Sequence, residues 1–320
     1  MNYKDYTTTI ENLQQTLDTY GVAVIPNVLN AEEIKEMQKG MWNMLNTLTS
    51  KFDKPIKDND KTSWKSFYNL LPLHSMLLQH YKVGHAQFVW DLRQNPKIVN
   101  IFSKLWNCDP EDLLTSFDGL SVHFPPEVTK RGWYRSNDWL HTDQSYTRNN
   151  FECVQSFITG YDINEGDATL TLLESSNKYH KEFAEKFGVT SKSDWYKLAE
   201  KEYQFYIDHG CQRTCVKCPA GSMVFWDSRT IHSGMEAQKT RKKPNMRLVV
   251  YVCQTPRKLI SHSDLTKKQK AFMEMRMTSH WPHRVKLFPK EPRTYGNEMP
   301  PITDLPKPQL TELGKSLAGF

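Results

Sequence analysis

The stretch "GSMVFWDSRTIHSG", residues 221–234, joins an apolar run to a polar turn and then to a histidine. Its first half has the β-branched and aromatic composition of a strand. The polar residues that follow are typical of the turn at which a strand ends. The stretch therefore predicts a buried strand that carries His232 out of a sheet rather than out of a surface loop.

Similar short runs occupy the chain from about residue 115 to residue 254. The others are "LTSFDGLSVHF", "WLHTDQSY", "VQSFITGYDI", "ATLTLLES" and "MRLVVYVCQ". Gly, Pro, Asn and Asp separate them, and many short strands with such turns favour an antiparallel sandwich or barrel. We therefore expect a mainly β fold with flanking helices, of the α+β class.

The N-terminal part is predicted to be two helices around one strand. Residues 8–20 and 31–49 have helical apolar spacing, and "YGVAVIPNVL" between them is predicted to be a short buried strand. Asn30 precedes the second helix, and Glu33 three residues later predicts a capping box.

Less regular segments are expected elsewhere. The charged piece at 51–65 predicts a solvated loop, and residues 66–107 are predicted to be mostly helical. A helical interruption of the β region is expected at 180–208, and a further helix at 263–278. Beyond residue 280, seven prolines predict an irregular tail that is either packed on the core or mobile.

Length, charge and cysteine usage narrow the class of protein. The 320 residues suffice for a substantial core. The net charge of +6 arises from 42 basic and 36 acidic residues, an excess too small and scattered for a nucleic-acid groove. No run approaches the ~18 apolar residues that span a bilayer, and the N-terminus lacks the apolar centre of a signal peptide. Six cysteines are too few for a disulfide scaffold, so we expect reduced thiols. Together these features predict a cytoplasmic protein without membrane or nucleic-acid partners.

His141 and Asp143 lie two residues apart in "DWLHTDQSY", residues 138–146. In a strand these positions leave the same face, about 6 to 7 Å apart at their Cα atoms. The pair either binds a metal ion or forms a hydrogen bond at the surface. With His232 from another strand it would form a facial set of two histidines and one carboxylate, as expected of a non-haem Fe(II) oxygenase.

An arginine suited to an anionic cosubstrate follows His232 along the chain. Arg247 begins the run "RLVVYV" and is predicted to point inward from a neighbouring strand. An arginine fork is the best partner for a carboxylate such as the distal one of 2-oxoglutarate. Arg241 is the competitor, but "TRKKPN" around it predicts an exposed turn, and Arg247 itself would otherwise be a surface strand residue.

Together these motifs resemble those of the phytanoyl-CoA dioxygenase family of Fe(II)- and 2-oxoglutarate-dependent oxygenases. The resemblance runs in family order over roughly residues 20–255. It rests on "YGVAVIPNVLNAEEI", "VHFPPE", "HTDQSY", "GDATLTLLESSNKYHKEF", "GSMVFWDSRTIHSG" and "RLVVYV".

The resemblance implies a double-stranded β-helix, the jelly roll of cupin-like proteins, within one oxygenase domain at residues 1–320. Residues 1–110 would supply N-terminal helices and a first strand, and residues 115–255 would form the core. Residues 256–320 would add a C-terminal helix and the irregular, proline-rich tail.

The resemblance also implies the residues of the site and their ligands. Its assignments are His141, Asp143 and His232 as catalytic iron ligands, Arg247 as the 2-oxoglutarate clamp, and Ser233 or Gly234 as pocket lining. His123, near the expected pocket strand, is a weaker candidate for contact with the cosubstrate or substrate. The cofactors implied are Fe(II), 2-oxoglutarate and O2, with ascorbate as a candidate reductant.

The sequence departs from the family pattern at two places. The usual "PGSH" corresponds here to residues 174–177, "ESSN", and the lysine often found before "PP" is Phe124. These positions border the substrate or cosubstrate, so the phytanoyl-CoA substrate is not carried over.

The chemistry implied is oxidative decarboxylation of 2-oxoglutarate to succinate and CO2, coupled to hydroxylation of a C–H bond. Asp143 occupies the position that related halogenases leave for chloride, so hydroxylation is expected instead of halogenation. The substrate would be a small molecule or an amino-acid side chain. Neither its identity nor the oligomeric state is predicted.

Several side chains near the His141 strand form either a substrate wall or ordinary packing. The aromatic ones are Trp133, Tyr134, Trp139 and Tyr146, and the polar ones are Gln144, Arg148, Gln155 and Arg229. For the polar group, a sheet or surface position is the alternative to substrate contact.

Two further clusters carry alternative functions. "CQRTCVKC" places Cys211, Cys215 and Cys218 in a spacing that is also found in iron–sulfur sites. With His209, the three cysteines could instead bind zinc, and buried structural thiols are the third interpretation. His280 and His283 in "SHWPHR" suggest a second metal site, a substrate-facing element or solvated groups. The competing functions are therefore a non-catalytic jelly-roll binding module and a zinc-dependent interaction protein.

Overall fold

The structure is a computed structural model that describes residues 3–136, 138–296 and 298–320. The helices are α1 (Leu13–Tyr20), α2 (Ala31–Leu48), α3 (Gln87–Arg93), α4 (Pro96–Trp106), α5 (Pro126–Thr129), α6 (His180–Phe187), α7 (Glu200–Asp208), α8 (His262–Met273) and α9 (Glu312–Ala318). The strands are β1 (Val22–Ile25), β2 (Leu77–Leu78), β3 (Leu113–Thr115), β4 (Leu120–His123), β5 (His141–Thr142), β6 (Val154–Thr159), β7 (Thr169–Leu173), β8 (Tyr196–Lys197), β9 (Arg213–Cys215), β10 (Met223–Asp227), β11 (His232–Met235), β12 (Arg247–Tyr251) and β13 (Gln254–Pro256). Short 3-10 helices lie at Tyr3–Tyr6, Lys61–Leu70, Val83–His85, Pro110–Asp112, Ser176–Tyr179 and Arg257–Leu259.

Antiparallel pairing assembles most of these strands into two sheets. One has the order β1-β10-β6-β12-β4-β2, and the other has the order β8-β5-β11-β7-β9. Neighbours within each sheet come from distant parts of the chain, as in a jelly roll, whose two sheets enclose an interior. The predicted mainly β core with flanking helices is confirmed.

Helices cover the outside of the larger sheet, which explains why its central strands are buried along their whole length. Every residue of β6 and β10 is buried, the pattern of strands covered on both faces. Helix α2 contributes the stripe Met37, Met41, Met44, Leu45 and Leu48 to the same core. The predicted capping box at its start is confirmed: Asn30 Oδ1 accepts from Glu33 N at 2.9 Å, and Glu33 Oε2 accepts from Asn30 N at 2.8 Å.

The structure corrects the sequence interpretation of residues 51–107. The predicted solvated loop at 51–65 buries Phe52, Ile56 and Trp64 in the main core, because its charged residues alternate with large apolar ones. The region 66–107, predicted to be mostly helical, becomes α-helical only from Gln87, after two 3-10 helices and the short strand β2.

Two other segments also differ from expectation. The predicted helical interruption at 180–208 is a pair of helices, α6 and α7, separated by β8. The tail beyond residue 280 is irregular for most of its length but ends in α9, whose Leu317 and Ala318 are buried. The tail therefore packs on the core, which settles the alternative left open by the sequence. Over the described ranges, no helix combines the length and apolarity needed to cross a bilayer.

Buried neutral histidines contribute to the packing of this fold. Burial lowers the pKa of His85 to about 3. Its Nδ1 accepts a hydrogen bond from Trp90 Nε1 at 3.3 Å, so its Nε2–H donates to the carbonyl oxygen of Arg276 at 3.0 Å. Burial likewise lowers the pKa values of His123, His180 and His283 to about 4.

We expect the free energy of unfolding to decrease as the pH falls from 6.5 towards 4. The unfolded chain takes up protons near the ordinary histidine pKa of 6.5, whereas folded His85 does so only near 3. Each such histidine contributes a slope of up to about 1.4 kcal/mol per pH unit. Urea unfolding at several pH values should show that the free energy of unfolding of His85→Gln depends on pH less steeply than that of the wild-type protein, by the equivalent of about one proton. The exposed His262→Gln serves as the control. An unchanged slope in His85→Gln would contradict the assignment.

Candidate metal centre and cosubstrate pocket

The pairing of two short strands brings the predicted histidine ligands together. His232 in β11 lies directly opposite His141 in β5 in the sheet register. Residues opposite each other in an antiparallel pair point to the same face, and the two imidazole ring centres are 4.5 Å apart. Asp143 lies one residue beyond the end of β5, where its backbone N–H donates to Ser228 O at 3.1 Å. The candidate triad thus stands at one end of the smaller sheet.

Backbone carbonyls fix both imidazoles in the orientation that a metal ligand needs. His141 Nδ1 is 2.9 Å from Trp139 O, and His232 Nδ1 is 2.9 Å from Thr230 O. A carbonyl can only accept, so each Nδ1 carries the proton and each Nε2 presents a lone pair. His141 Nε2 lies 3.5 Å from Asp143 Oδ1, and His232 Nε2 lies 3.3 Å from Asp143 Oδ2.

Asp143 is ionised in this environment. Burial raises the pKa of its carboxyl group, but His141 and His280 outweigh this effect and lower the pKa well below its usual range. Gln155 Nε2 also donates to Asp143 Oδ2 at 2.9 Å and holds the carboxylate in place. The carboxylate therefore has the charge and the fixed orientation of a metal ligand.

The donor set fits a divalent metal ion. One ligand atom from each of His141, Asp143 and His232 lies within 4.8 Å of the other two. Two lone pairs and a carboxylate directed at one point repel each other unless a cation lies between them. Two imidazoles and one carboxylate on one face are the ligands of non-haem Fe(II) oxygenases.

Replacing Gln155 by leucine is expected to weaken metal binding about 10-fold to 100-fold, the usual effect of removing a group that orients a ligand. Its amide is the hydrogen-bond donor that holds Asp143 Oδ2. Chelator competition with Mn(II) would measure the change. Gln204→Leu is the matched control, because Gln204 donates to Asp208 on an exposed helix in the same way. Equal metal affinity of Gln155→Leu and the wild-type protein would show that the amide does not hold the ligand.

Arg247 is a buried cation that forms no ion pair within the described part of the chain. Its Nε donates to Ser121 Oγ at 3.1 Å, its Nη1 donates to Ala168 O at 3.2 Å, and its guanidinium lies 5.2 Å from the centre of the Phe157 ring. It lines the same cavity of about 1420 Å³ as the triad. Since buried charges are normally paired, this geometry suits an incoming carboxylate.

Arg241 differs from the sequence prediction. Its side chain, expected in an exposed turn, is only 1% exposed. It donates to Glu127 Oε2 at 2.5 Å and to Asp167 Oδ1 at 3.1 Å. A guanidinium that already holds two carboxylates is not available for a third, which leaves Arg247 as the candidate clamp.

Of the other residues predicted to contact the cosubstrate, one lines the cavity and two do not. Gly234 lines the cavity, on the same face of β11 as His232. Ser233 alternates to the opposite face, where its buried Oγ has no partner in the described residues. His123 lies opposite Arg247 in the register of β4 and β12, and its Nε2–H donates to Gly132 O at 2.8 Å. It is not one of the described residues that line the cavity.

The four aromatic candidates divide into one wall residue and three packing residues. Trp139 lines the cavity and stacks between His74 and His141, with ring-centre distances of 4.0 and 4.8 Å. Tyr146 is buried in a separate aromatic cluster. Trp133 packs under Arg241, and Tyr134 donates to Asp138.

Among the polar candidates, Gln155 reaches the triad and the others are structural. Gln144 Nε2 donates to the carbonyls of Arg148 and Asn150. Arg148 pairs with Glu152 and Asp194, and Arg229 pairs with Asp227. These contacts match the sheet and surface alternative considered for them.

The histidines of "SHWPHR" are not solvated groups. His280 and His283 both line the cavity. His283 Nδ1 is 3.0 Å from Thr255 Oγ1, whereas His280 Nε2 has no partner in the described part of the chain. In the described residues they do not form a second metal cluster, because the triad is the only group of three potential ligands found there.

The cysteine cluster does not assemble a zinc or iron–sulfur site. Cys211 packs with the aromatic cluster around Phe183, whereas Cys218 belongs to a different apolar cluster. Within the described residues, Cys211, Cys215, Cys218 and His209 do not form a group of three potential metal ligands, and burial raises the pKa of Cys211 to about 11. The thiols are structural, which removes the basis for the zinc-dependent alternative.

Sequence reasoning missed several cavity residues. They are Asp118, Tyr251, Trp195, Ser279 and Trp281. Asp118 had a signal in the sequence, since it is a carboxylate inside the apolar run "LTSFDGLSVHF". The remaining residues come from strand ends and loops whose position the sequence pattern does not encode.

Comparison with known proteins gives consistent results. Residues 17–242 match the family described as phytanoyl-CoA dioxygenase (PhyH). Ava biosynthesis cluster protein O from Aspergillus versicolor is 26% identical over 274 residues, which cover 82% of this chain and 83% of that protein.

Solved structures share the fold at low identity. The hypothetical protein JW0805 from Escherichia coli superposes with a TM-score of 0.61 at 12% identity, covering 98% of this chain and 85% of the other. The product of GlcNAc Inducible Gene 2 from Candida albicans superposes with a TM-score of 0.53 at 15% identity, covering 85% and 69% respectively. At such identities the likeness concerns the fold alone.

Proposed function

Because the chain belongs to the phytanoyl-CoA dioxygenase family, we propose that it is an Fe(II)- and 2-oxoglutarate-dependent dioxygenase that hydroxylates a C–H bond. The substrate would be a small molecule or an amino-acid side chain. The observation that carries the proposal is the convergence of two imidazole lone pairs and one carboxylate at the wall of a cavity that also contains an unpaired arginine.

Each part of the site has a distinct role in this reaction. His141, Asp143 and His232 would hold Fe(II), which supplies the activation of O2 that protein groups cannot provide. Hydrogen bonds from Nδ1 to the Trp139 and Thr230 carbonyls fix the ring orientation, so that each Nε2 faces the metal position.

Arg247, which is only 4% exposed, would bind the distal carboxylate of 2-oxoglutarate. Burial lowers the pKa of this arginine, and Tyr251 opposes that effect. A guanidinium nevertheless stays charged at neutral pH, so its pairing with a carboxylate is strong where water is excluded. The cosubstrate would thereby be positioned with its keto acid end towards the triad.

Asp143 favours hydroxylation over halogenation, since its carboxylate fills the coordination position that a halide would need. The partners we propose are the substrate and cosubstrates, and a net charge of +6 spread over 320 residues does not favour a nucleic-acid groove. We place the reaction in the cytoplasm, which the six free thiols support.

A non-catalytic jelly-roll binding module is the competing function. It predicts that 2-oxoglutarate is not consumed even though the triad is intact. The test is to supply the full chain with Fe(II), ascorbate and 2-oxoglutarate and to measure succinate formation with and without O2. We expect O2-dependent succinate, and in the presence of substrate one atom of 18O2 in the hydroxylated product. Absence of succinate from a protein that binds one equivalent of iron would favour the binding module.

A further inference from the structure

Three consecutive residues of the C-terminal segment line the cavity, and each carries a buried polar atom without a partner in the described residues. Ser279 Oγ, His280 Nε2 and Trp281 Nε1 are buried and make no hydrogen bond within the described residues, and all three residues line the cavity. Ser279 and Trp281 are 8% and 3% exposed. Because buried polar atoms are almost always hydrogen-bonded, three such atoms beside one cavity indicate a ligand that completes them.

Asp118 is a buried carboxylate at the same cavity. It is 6% exposed, and its Oδ1 accepts a hydrogen bond from Gly119 N. The neighbouring Arg93 directs its Nη2 at the backbone oxygen of Asp118 instead of at the carboxylate. A desolvated carboxylate with a single backbone donor retains capacity for further donors.

The backbone holds these two elements side by side. Thr278 N donates to Phe117 O at 3.1 Å, and Phe117 N donates to Thr278 Oγ1 at 3.0 Å. Asp118 and Ser279 each come one residue later in the chain. Lys268 Nζ, 3.4 Å from Pro282 O, fixes the far side of the segment. The unpartnered atoms therefore belong to a fixed wall.

This wall lies within electrostatic range of the triad. Burial raises the pKa of Asp118, and the charge of Asp143 raises it further, whereas His280 and Arg93 lower it. His280 also acts on the pKa of Asp143. Asp118, His280 and the triad line the same cavity, so a ligand held at this wall would share that cavity with the metal centre. None of these residues takes part in binding metal or 2-oxoglutarate as proposed above, and segment 279–281 lies beyond the family match at 17–242.

We propose that Asp118 and the segment Ser279–Trp281 form the substrate-recognition wall and that the substrate carries a basic nitrogen, as an amine or a guanidine. This proposal rests on the proposed oxygenase function. Asp118 supplies the charged acceptor for the nitrogen. His280 and Ser279 supply further hydrogen bonds that orient the neighbouring C–H bond towards the triad.

Part of the cavity wall is aromatic and suits the apolar body of such a molecule. Trp106, Phe151 and Phe288 line it, and the rings of Trp106 and Phe151 are 5.3 Å apart. Burial of this body would contribute affinity without selecting its charge. Charge selection is thereby assigned to Asp118.

Binding is tested on the full chain loaded with Fe(II) and 2-oxoglutarate under anaerobic conditions, so that no turnover occurs. Isothermal titration would use benzylamine, phenethylamine and agmatine, with N-acetylphenethylamine and 3-phenylpropionate as neutral and anionic counterparts. We expect phenethylamine to bind at least about 10-fold more tightly than either counterpart, the order of magnitude of a charge-assisted hydrogen bond.

Two variants separate recognition from folding. Asp118→Asn keeps an acceptor for Gly119 N–H but loses the charge. This variant should therefore bind phenethylamine and N-acetylphenethylamine with about equal affinity. His280→Ala should weaken amine binding about 3-fold to 10-fold, the effect of one lost hydrogen bond, and His280→Gln should recover part of it. Asp304→Asn is the control, because Asp304 is exposed and pairs with Lys82. Thermal unfolding of each variant checks that it is folded.

Several outcomes would overturn the proposal: equal binding of phenethylamine and its N-acetyl form, tighter binding of the acid, no binding of any of the amines, or an unchanged preference in Asp118→Asn. Admission of O2 then measures 2-oxoglutarate decarboxylation in the same samples. Retained decarboxylation without selectivity for amines would reject the recognition wall alone. Loss of decarboxylation from the wild-type protein would reject the oxygenase function instead.

Discussion

Replacing His232 by alanine is expected to reduce the O2-dependent conversion of 2-oxoglutarate to succinate by at least about 1000-fold. The metal contributes several kcal/mol to such reactions, and every 1.36 kcal/mol corresponds to a factor of ten in rate. His232 Nε2 lies 3.3 Å from Asp143 Oδ2 in a site whose residues are mostly buried. Without this imidazole, the remaining two ligands belong to a single short stretch and no longer enclose the metal.

His209→Ala is the matched control for this variant. The His209 imidazole is also held by a backbone carbonyl and a carboxylate, with Nδ1 at 2.7 Å from Phe205 O and Nε2 at 2.9 Å from Glu182 Oε1, but it does not belong to the triad. It should retain both iron stoichiometry and turnover. If His232→Ala kept wild-type turnover while its circular dichroism was unchanged, the triad would not be the catalytic centre.

The sequence was sufficient to predict the parts of the fold that depend on local patterns. Asn30 and Glu33 mark the start of α2 because a capping box is local chemistry. The apolar run before His232 predicts β10 because that strand is buried along its whole length.

Long-range pairing was less accessible from the sequence. The register that sets His232 opposite His141 joins residues about ninety positions apart, and β5 contains only two residues. Periodicity predicted a longer strand that included Asp143, whereas the backbone N–H of Asp143 is instead fixed by the carbonyl of Ser228. Arg241 was misjudged because its partners, Glu127 and Asp167, lie far away in the sequence.

The recognition wall was even harder to predict from the sequence, because it too depends on contacts between distant parts of the chain. In this segment only the histidines were considered as candidates from the sequence. The polar, proline-containing neighbourhood of His280 usually indicates solvent exposure, and Ser279 and Trp281 were missed. Their burial depends on the pairing of Thr278 with Phe117, a contact across 161 residues of sequence. A tertiary contact of this kind leaves no periodic signal.

Replacing Arg247 by methionine is expected to raise the KM for 2-oxoglutarate by about 100-fold, a loss typical of removing one partner of a buried charge pair. The kcat at saturation should change much less, because the clamp holds a carboxylate that is remote from the reacting atoms. Since the partners of Arg247 within the described residues are uncharged, Ser121 Oγ and Ala168 O among them, the folded state should tolerate the apolar replacement. Arg247→Lys should recover part of the affinity.

A cosubstrate without the distal carboxylate distinguishes a clamp from a structural residue. The wild-type protein should prefer 2-oxoglutarate over 2-oxovalerate strongly, and Arg247→Met should lose most of this preference because the charge that recognises the distal group is gone. Arg241→Met is the control: it breaks buried pairs with Glu127 and Asp167, so it should lower the thermal unfolding midpoint while the preference for 2-oxoglutarate is kept. If Arg247→Met retained the full preference, the distal carboxylate would have to bind elsewhere in the cavity, and Arg247 would be a packing residue.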